Sequence, residues 1–264
     1  MTHPPGFRRY VFICGLHRTG TSLLARMLAA HPEIDAISDA PVPENEGAYL
    51  QGAIPHTARH GIAGHYATDP AQHYVEGDRL DTLATRERME RDWDPWFTGV
   101  GSWRVEKSPV NLTRMRLCQQ LFPLSQFVVI LRHPEAMAAA LAKWTDQTPG
   151  ELIDYALDAY ELALEDAAYL HAVTILRYED LVAGPQRHLD ALTTFCGLEG
   201  ITCADEVHDG NARYEGASVM NEGQAERVSA LGYGPRLAVS APFYRVSHPL
   251  RAVREAARAR FDKS

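Results

Sequence analysis

Short apolar runs alternate with helix-period segments along the chain. Residues 10–14, YVFIC, are an apolar run with β-branched and aromatic members bounded by Gly15, which predicts a buried strand. After a loop, Leu23, Leu24, Met27 and Leu28 recur at helical spacing until His31-Pro32 ends the helix. The pattern then weakens. Residues 33–103 are rich in Pro, Gly, His and acidic residues, and read as loops and short helices. Because variable recognition usually sits on loops over a rigid scaffold, this segment is expected to be a substrate-facing insertion. Its aromatic cluster, Trp93, Trp96, Phe97 and Trp103, would face a substrate or else cap the core.

Order returns with a short strand near Trp103–Glu106, a helix from about Leu112 to Leu121, and the clearest strand, QFVVILR at 126–132. Pro134 opens the next helix, running to Lys143, as its fixed φ allows. Ile153, Ala156, Leu157, Tyr160, Leu164, Ala167 and Ala168 mark one face of a long helix over 151–171. AVTILRY (172–178) predicts a strand, followed by a helix from Pro185 to Cys196 and, after an irregular stretch, an amphipathic helix over 249–261. Strands alternating with helices predict an α/β fold of three α/β/α layers around a central, mainly parallel sheet. Ligands of such sheets bind at the carboxyl ends of the strands.

Composition narrows the class. With 264 residues, 45% hydrophobic and 23% charged, the chain suits one globular domain spanning 1–264 with a substantial core. A formal charge of −8 argues against extended nucleic-acid binding, which depends on neutralising phosphates, but leaves room for a local anion site. Cys14, Cys118, Cys196 and Cys203 show no metal-type spacing, and Cys14 and Cys196 lie in apolar runs. Reduced thiols and a cytoplasmic setting are therefore expected. The N-terminal apolar run is too short for a signal peptide or a membrane span.

The chemistry concentrates in GLHRTGTS, Gly15 to Ser22. It nearly spells the phosphate loop GxxxxGK[ST], except that Thr21 stands where lysine belongs. A glycine turn between strand and helix offers backbone N–H groups and the positive end of the helix dipole to an anionic oxygen. In triphosphate enzymes the lysine reaches the phosphates and a strand-end acid helps hold Mg²⁺. Here strand 126–131 runs into Arg132-His133, with no acid. Arg18, Lys107 and Arg132 instead place three cations at successive strand ends, which suits a ligand with two separated anionic groups.

VFICGLHRTGTSLLARMLAAHPEI resembles the 5′-phosphosulfate loop of sulfotransferases, of the form P-R/K-S-G-T-T/S-L-L. QFVVILRHPEAMAAALAKW resembles their 3′-phosphate motif, while LRYEDL (176–181) and LGYGP (231–235) also resemble family members, the latter especially protein-tyrosine sulfotransferases. The resemblance implies a P-loop sulfotransferase fold and 3′-phosphoadenosine 5′-phosphosulfate (PAPS) as donor, with no metal. By motif position, Arg18, Thr19, Gly20, Thr21 and Ser22 would hold the 5′-phosphosulfate and Arg132 the 3′-phosphate, with Tyr178 near the adenine. One departure is Ala140, where the family usually has a serine eight residues after the arginine. Losing that hydroxyl would weaken donor binding by ~1.5–3 kcal/mol unless a C-terminal basic residue such as Arg227 or Arg236 replaces it.

The resemblance further implies in-line transfer of a sulfuryl group to a hydroxyl or amine, with Arg18 and Lys107 stabilising the developing charge. Cytosolic members place a histidine base just after the catalytic lysine, but here Ser108-Pro109 follows Lys107. Tyrosine- and glycolipid-sulfating branches use a glutamate after the phosphate-loop helix, where this chain has PENEG, 43–47. Glu46 is then the first choice for the base and Glu44 the second. His56, His60, His65 and His73 lie in the same insertion, but Gly61 and Gly64 disfavour the helix that would make them metal ligands. The acceptor class stays open among small molecules, glycans, lipids and peptides. The competing readings are a small-molecule kinase with an altered phosphate loop, and a nucleotide-binding relative without catalysis.

Overall fold

The computed structural model describes residues 8–57, 64–204, 206–216 and 219–262. Its strands are β1 (Arg9–Cys14), β2 (Ile34–Ala36), β3 (Trp103–Lys107), β4 (Gln126–Leu131), β5 (Val173–Arg177), β6 (Tyr233–Gly234), β7 (Ala238–Val239) and β8 (Tyr244–Ser247). Its helices are α1 (Thr21–Ala29), α2 (Gly47–Leu50), α3 (Leu83–Trp93), α4 (Met115–Leu121), α5 (Pro134–Leu141), α6 (Pro149–Ala167), α7 (Tyr178–Ala183), α8 (Pro185–Phe195), α9 (Glu222–Ser229) and α10 (Arg251–Phe261).

The main sheet has the order β2-β3-β1-β4-β5-β8, all parallel except β8, which runs antiparallel to β5. Each strand must bury both faces, and alternation assigns its residues to two cores. Tyr10, Phe12, Phe127, Val129 and Ile175 pack with α3 to α6. Val11, Ile13, Val128, Ile130 and Leu176 pack on the opposite face with α1, α8 and α10. This is the α/β architecture expected from the sequence.

Several boundaries follow from local chemistry. Pro134 does begin α5, and His133 caps it by accepting from the Glu135 N–H at 3.3 Å. The long helix starts earlier than its apolar face suggests, because Thr148 and Glu151 close a capping box over Pro149. The region 33–103 departs most from expectation. It supplies the edge strand β2 and the helix α3, whose run of charged residues hides a narrow buried face of Thr85, Met89 and Trp93.

The tryptophan cluster caps the core. Trp93 stacks on Phe122 at 5.9 Å and donates from Nε1 to the Gly47 carbonyl at 2.9 Å, while Trp103 is wholly buried in the opposite core. These buried rings therefore lend no support to an aromatic acceptor. All four cysteines are free thiols. Among the described residues no helix is long and apolar enough to cross a membrane.

Candidate active site

The sheet order places the carboxyl ends of β3, β1 and β4 side by side, and the segments leaving β1 and β4, with the 43–49 turn and the 206–214 segment, wall a cleft of about 630 Å³. The Gly15–Gly20 loop forms its floor. Arg18 and Gly20 both adopt left-handed backbone, with φ of 69° and 102°. Gly20 is needed for a second reason, since a β-carbon there would lie 2.8 Å from Cδ2 of Tyr178. As the residue preceding α1 it offers no side-chain cap, and no residue of the first turn is acidic, so the helix leaves its own N-terminal N–H groups uncapped.

Arg18, Gly20, Thr21, Ser22, Glu44, Glu46, Arg132 and Tyr178 all line this one cleft. Thr19 and Lys107 do not. The Thr19 hydroxyl and N–H both donate to the Leu16 carbonyl, at 2.7 and 3.2 Å, so this residue shapes the loop from beneath. Lys107 borders an adjoining cavity of about 440 Å³, behind Glu44.

Arg132 is buried and braces three elements. Nη1 donates to the Arg18 carbonyl at 2.6 Å, Nε donates to Asn211 Oδ1 at 2.8 Å, and the guanidinium sits 4.5 Å from the Tyr178 ring centroid. The Tyr178 hydroxyl donates to the His208 carbonyl and accepts from the Gly210 N–H. Tyr178 thus ties the 206–214 wall to the loop.

The sequence separates LRYEDL and LGYGP, yet the fold joins them. Arg177 is fully buried, with a two-pronged pair to Asp180 at 2.7 and 3.0 Å and a bond from Nη1 to the Leu231 carbonyl. Glu179 accepts from the His133 N–H, from Asn211 Nδ2 and from the Tyr233 hydroxyl. Burial holds His133 below the ordinary imidazole pKa, and the neutral ring's Nε2 lies 2.9 Å from the Gly234 carbonyl.

Opposite Arg132, the end of β3 clamps the turn that carries Glu46. Glu106 Oε1 accepts from the Gly47 N–H at 3.0 Å and from the Ser108 hydroxyl at 2.5 Å, while Oε2 accepts from Asn111 Nδ2 at 2.5 Å. Ser108 Oγ also accepts from the Ala48 N–H at 3.0 Å. Burial raises the Glu106 pKa against these hydrogen bonds. Lys107, on the other side of the strand, places Nζ 3.4 Å from Glu46 Oε1 and donates to the Glu44 carbonyl at 2.9 Å.

The two candidate acids differ sharply. Glu46 is only 6% exposed, and burial pushes its carboxyl up to about 7 although Lys107 opposes the shift. Glu44 is exposed, and its Oε2 accepts from the Ser22 hydroxyl at 3.1 Å. A carboxyl ionising near neutrality can exchange protons with a substrate hydroxyl, whereas a group already bonded to the loop is committed elsewhere.

Sequence reasoning missed His17. Its ring lines the cleft 5.5 Å from Tyr66, its Nδ1 is sealed from solvent without a hydrogen-bond partner, and burial with the charge of Lys107 pushes it down to about 4. A neutral imidazole there follows. Glu106 and Asn211 were also missed, because a polar residue in a strand or irregular segment carries no periodic signal. Of the histidines in the insertion, His73 lies 2.9 Å from Asp166, His65 3.9 Å from Asp69 and His56 beside Tyr49, while His60 falls outside the described residues. They do not converge. Ala140 is buried in α5, and neither proposed substitute lines the cleft. Arg227 is spent on Glu161 and Asp158 of α6, and Arg236 donates its N–H to Glu135. Arg213 is the C-terminal arginine that does line it.

The sulfotransferase family profile matches residues 10–202, which include the loop, Lys107, Arg132 and Tyr178. The chain belongs to the sulfotransferase family. Solved sulfotransferases share the fold at low identity. One from Mycobacterium tuberculosis is 17% identical with a TM-score of 0.53, over 85% of this chain and 77% of its own. One from Mycobacterium avium is 15% identical with a TM-score of 0.52, over 98% and 76%. One from Alicyclobacillus acidocaldarius is 18% identical with a TM-score of 0.50, over 85% and 95%. A comparison with curated proteins finds no match.

Proposed function

We propose that this sulfotransferase takes its sulfuryl group from PAPS and passes it to a hydroxyl or amine of a small-molecule, glycan, lipid or peptide acceptor. The observation that carries the reading is the pairing, in one cleft, of the α1 N-terminus, which has no side-chain cap and whose Ser22 is met by Glu44, with the buried guanidinium of Arg132. These offer an anionic ligand two points of contact on different elements. PAPS has two anionic groups set apart, the 5′-phosphosulfate and the 3′-phosphate.

In this reading Arg18, Gly20, Thr21 and Ser22 hold the 5′ group, with Thr19 shaping their loop, and Arg132 holds the 3′-phosphate. The Tyr178 ring borders the space for the adenine, and Arg213 takes over the contact that Ala140 cannot make. Glu46 accepts the proton of the acceptor as its oxygen or nitrogen bonds to sulfur. The sulfur–oxygen bond to the 5′-phosphate breaks, and adenosine 3′,5′-bisphosphate leaves. Lys107 and Arg18 offset the charge that builds on the leaving phosphate. Glu44 is the second acid of the site and stands behind Glu46 as a base, because its carboxylate is already bonded to Ser22. The free cysteines suit a cytoplasmic setting.

The test is transfer of ³⁵S from PAPS to a panel of hydroxyl and amine acceptors, set against Mg²⁺-dependent consumption of ATP. Labelled product in EDTA supports the assignment. ATP consumption would instead make the protein a kinase, and binding of donor without transfer to any acceptor would make it a non-catalytic relative.

A further inference from the structure

Glu44 holds the two groups through which a donor would be gripped. Its Oε2 accepts from the Ser22 hydroxyl at 3.1 Å, and its main-chain carbonyl accepts from Lys107 Nζ at 2.9 Å. The residue is strained. Its φ is 52°, and Asp39 and Asn45 of the same turn stand at 52° and 54°, in a region that non-glycine residues seldom occupy. Its side chain is exposed, so packing does not fix it.

Its position is that of a partition. Glu44, Ser22 and Arg26 line both the cleft of about 630 Å³ and the adjoining cavity of about 440 Å³, whereas Lys107 lines only the latter. With Glu44 in place the lysine is kept from the cleft. A negative carboxylate on Ser22 also repels any anion approaching the same hydroxyl, so the two cannot be bound there together.

We propose that Glu44 is a displaceable internal anion, a latch whose carboxylate occupies Ser22, and whose backbone holds Lys107, until the anionic group of the donor takes the carboxylate's place and the turn moves to join the two cavities. The inference rests on the donor reading above. The latch lowers apparent donor affinity by the fraction of molecules in which it is open. It also gives the strained turn a reason to be strained, since a latch held too well would not yield.

The experiment is calorimetric titration of adenosine 3′,5′-bisphosphate into the wild type, Glu44→Gln and Glu44→Gly, all with EDTA. Gln removes the charge and keeps the shape, while Gly also relieves the positive φ. Both variants are expected to bind roughly threefold to tenfold tighter than the wild type, with the gain shrinking as salt is raised. Wild-type binding with variants that bind equally or more weakly overturns the latch and leaves the donor reading standing. Should Gly fail to fold, the Gln variant decides. No binding by any of the proteins overturns both the latch and the donor reading. A crystal structure with the bisphosphate in which Glu44 still bonds Ser22 overturns the latch alone.

Discussion

Lys107 Nζ lies 3.4 Å from Oε1 of Glu46, and both side chains are buried. The chain brings these residues together by fastening one backbone to another. The Gly47 N–H bonds Glu106 and the Ala48 N–H bonds Ser108, so the turn after Glu46 is stitched to the end of β3 on both sides of Lys107. The pair is a positioned acid and cation at the edge of the cleft. Burial drives the acid toward its neutral form while the lysine pulls it toward the charged one, and the balance falls near neutrality.

Activity should therefore rise with pH through about 7, because Glu46 must be ionised to take a proton and its carboxyl has been pushed up to about 7. Glu46→Gln should lower turnover by ~100-fold or more and abolish this limb. Its affinity for adenosine 3′,5′-bisphosphate should stay within about twofold of wild type, since Gln keeps a hydrogen-bonding group beside Lys107. Initial rates from about pH 5.5 to about pH 8.5, which bracket the raised value of about 7, would show the limb. A limb unchanged in the Gln variant would remove Glu46 from the role.

Stability should move the opposite way. A carboxyl whose folded pKa is raised contributes stability that is present in full below its unfolded pKa and lost as pH rises through the folded one. Relative to Glu46→Gln, the wild type should lose stability between the ordinary glutamate pKa of 4.5 and about 7, by no more than ~3 kcal/mol. Denaturant melts of both proteins at pH 4.5 and 8 would measure it, the lower pH being about the ordinary glutamate pKa. A gap that does not change between the two would show that Glu46 titrates normally.

Ser108→Ala should cost ~1–3 kcal/mol of stability, because the buried Ala48 N–H loses its acceptor and Glu106 loses a donor. Turnover should fall while bisphosphate affinity holds, since the serine fastens the turn bearing Glu46 and touches no part of the loop. Thermal melts combined with a binding titration would separate these effects. Loss of binding with intact stability would contradict the assignment.

Gly20→Ala should destabilise by ~1–3 kcal/mol and weaken anion binding, because φ of 102° strains any L side chain and Tyr178 lies 2.8 Å from the new methyl. Gly150 is the contrast. It sits in the first turn of α6 with nothing within 4 Å of a β-carbon, and alanine there should stabilise by ~0.5–1 kcal/mol. Equal effects at the two positions would argue against a strained, purpose-shaped loop.

Much of this was legible in the sequence where local pattern and fold agree. YVFIC, QFVVIL and VTILR read as strands because parallel strands buried on both faces are continuous apolar runs, and GLHRTGTS read as a turn between strand and helix because glycines interrupt the apolar pattern there. What failed was non-local. α3 was hidden by its charged outer face, and β8 by being a short edge strand whose partner is about 70 positions away in register terms. The tryptophans left two readings open, because aromatic residues in a polar segment suit a core cap as readily as a substrate wall. In the site, Glu46 and Arg132 could be nominated from motif position, but the stitching by Glu106 and Ser108 could not, since it depends on two backbones meeting. His17 stands inside GLHRTGTS, where its neighbours carry the motif, and Glu46 ranks above Glu44 by motif position alone, with burial adding a physical difference between them.

The central claim is that the cleft holds a nucleotide with separated 3′ and 5′ anionic groups without help from a metal. Calorimetric titration of the wild-type protein with adenosine 3′,5′-bisphosphate in EDTA tests it most directly, with AMP, which lacks the 3′-phosphate, as the comparison. One-to-one binding of the bisphosphate is expected, weakened at least about tenfold in AMP by loss of the charged contacts to Arg132. Absence of binding at millimolar bisphosphate, or equal affinity for AMP, would contradict it.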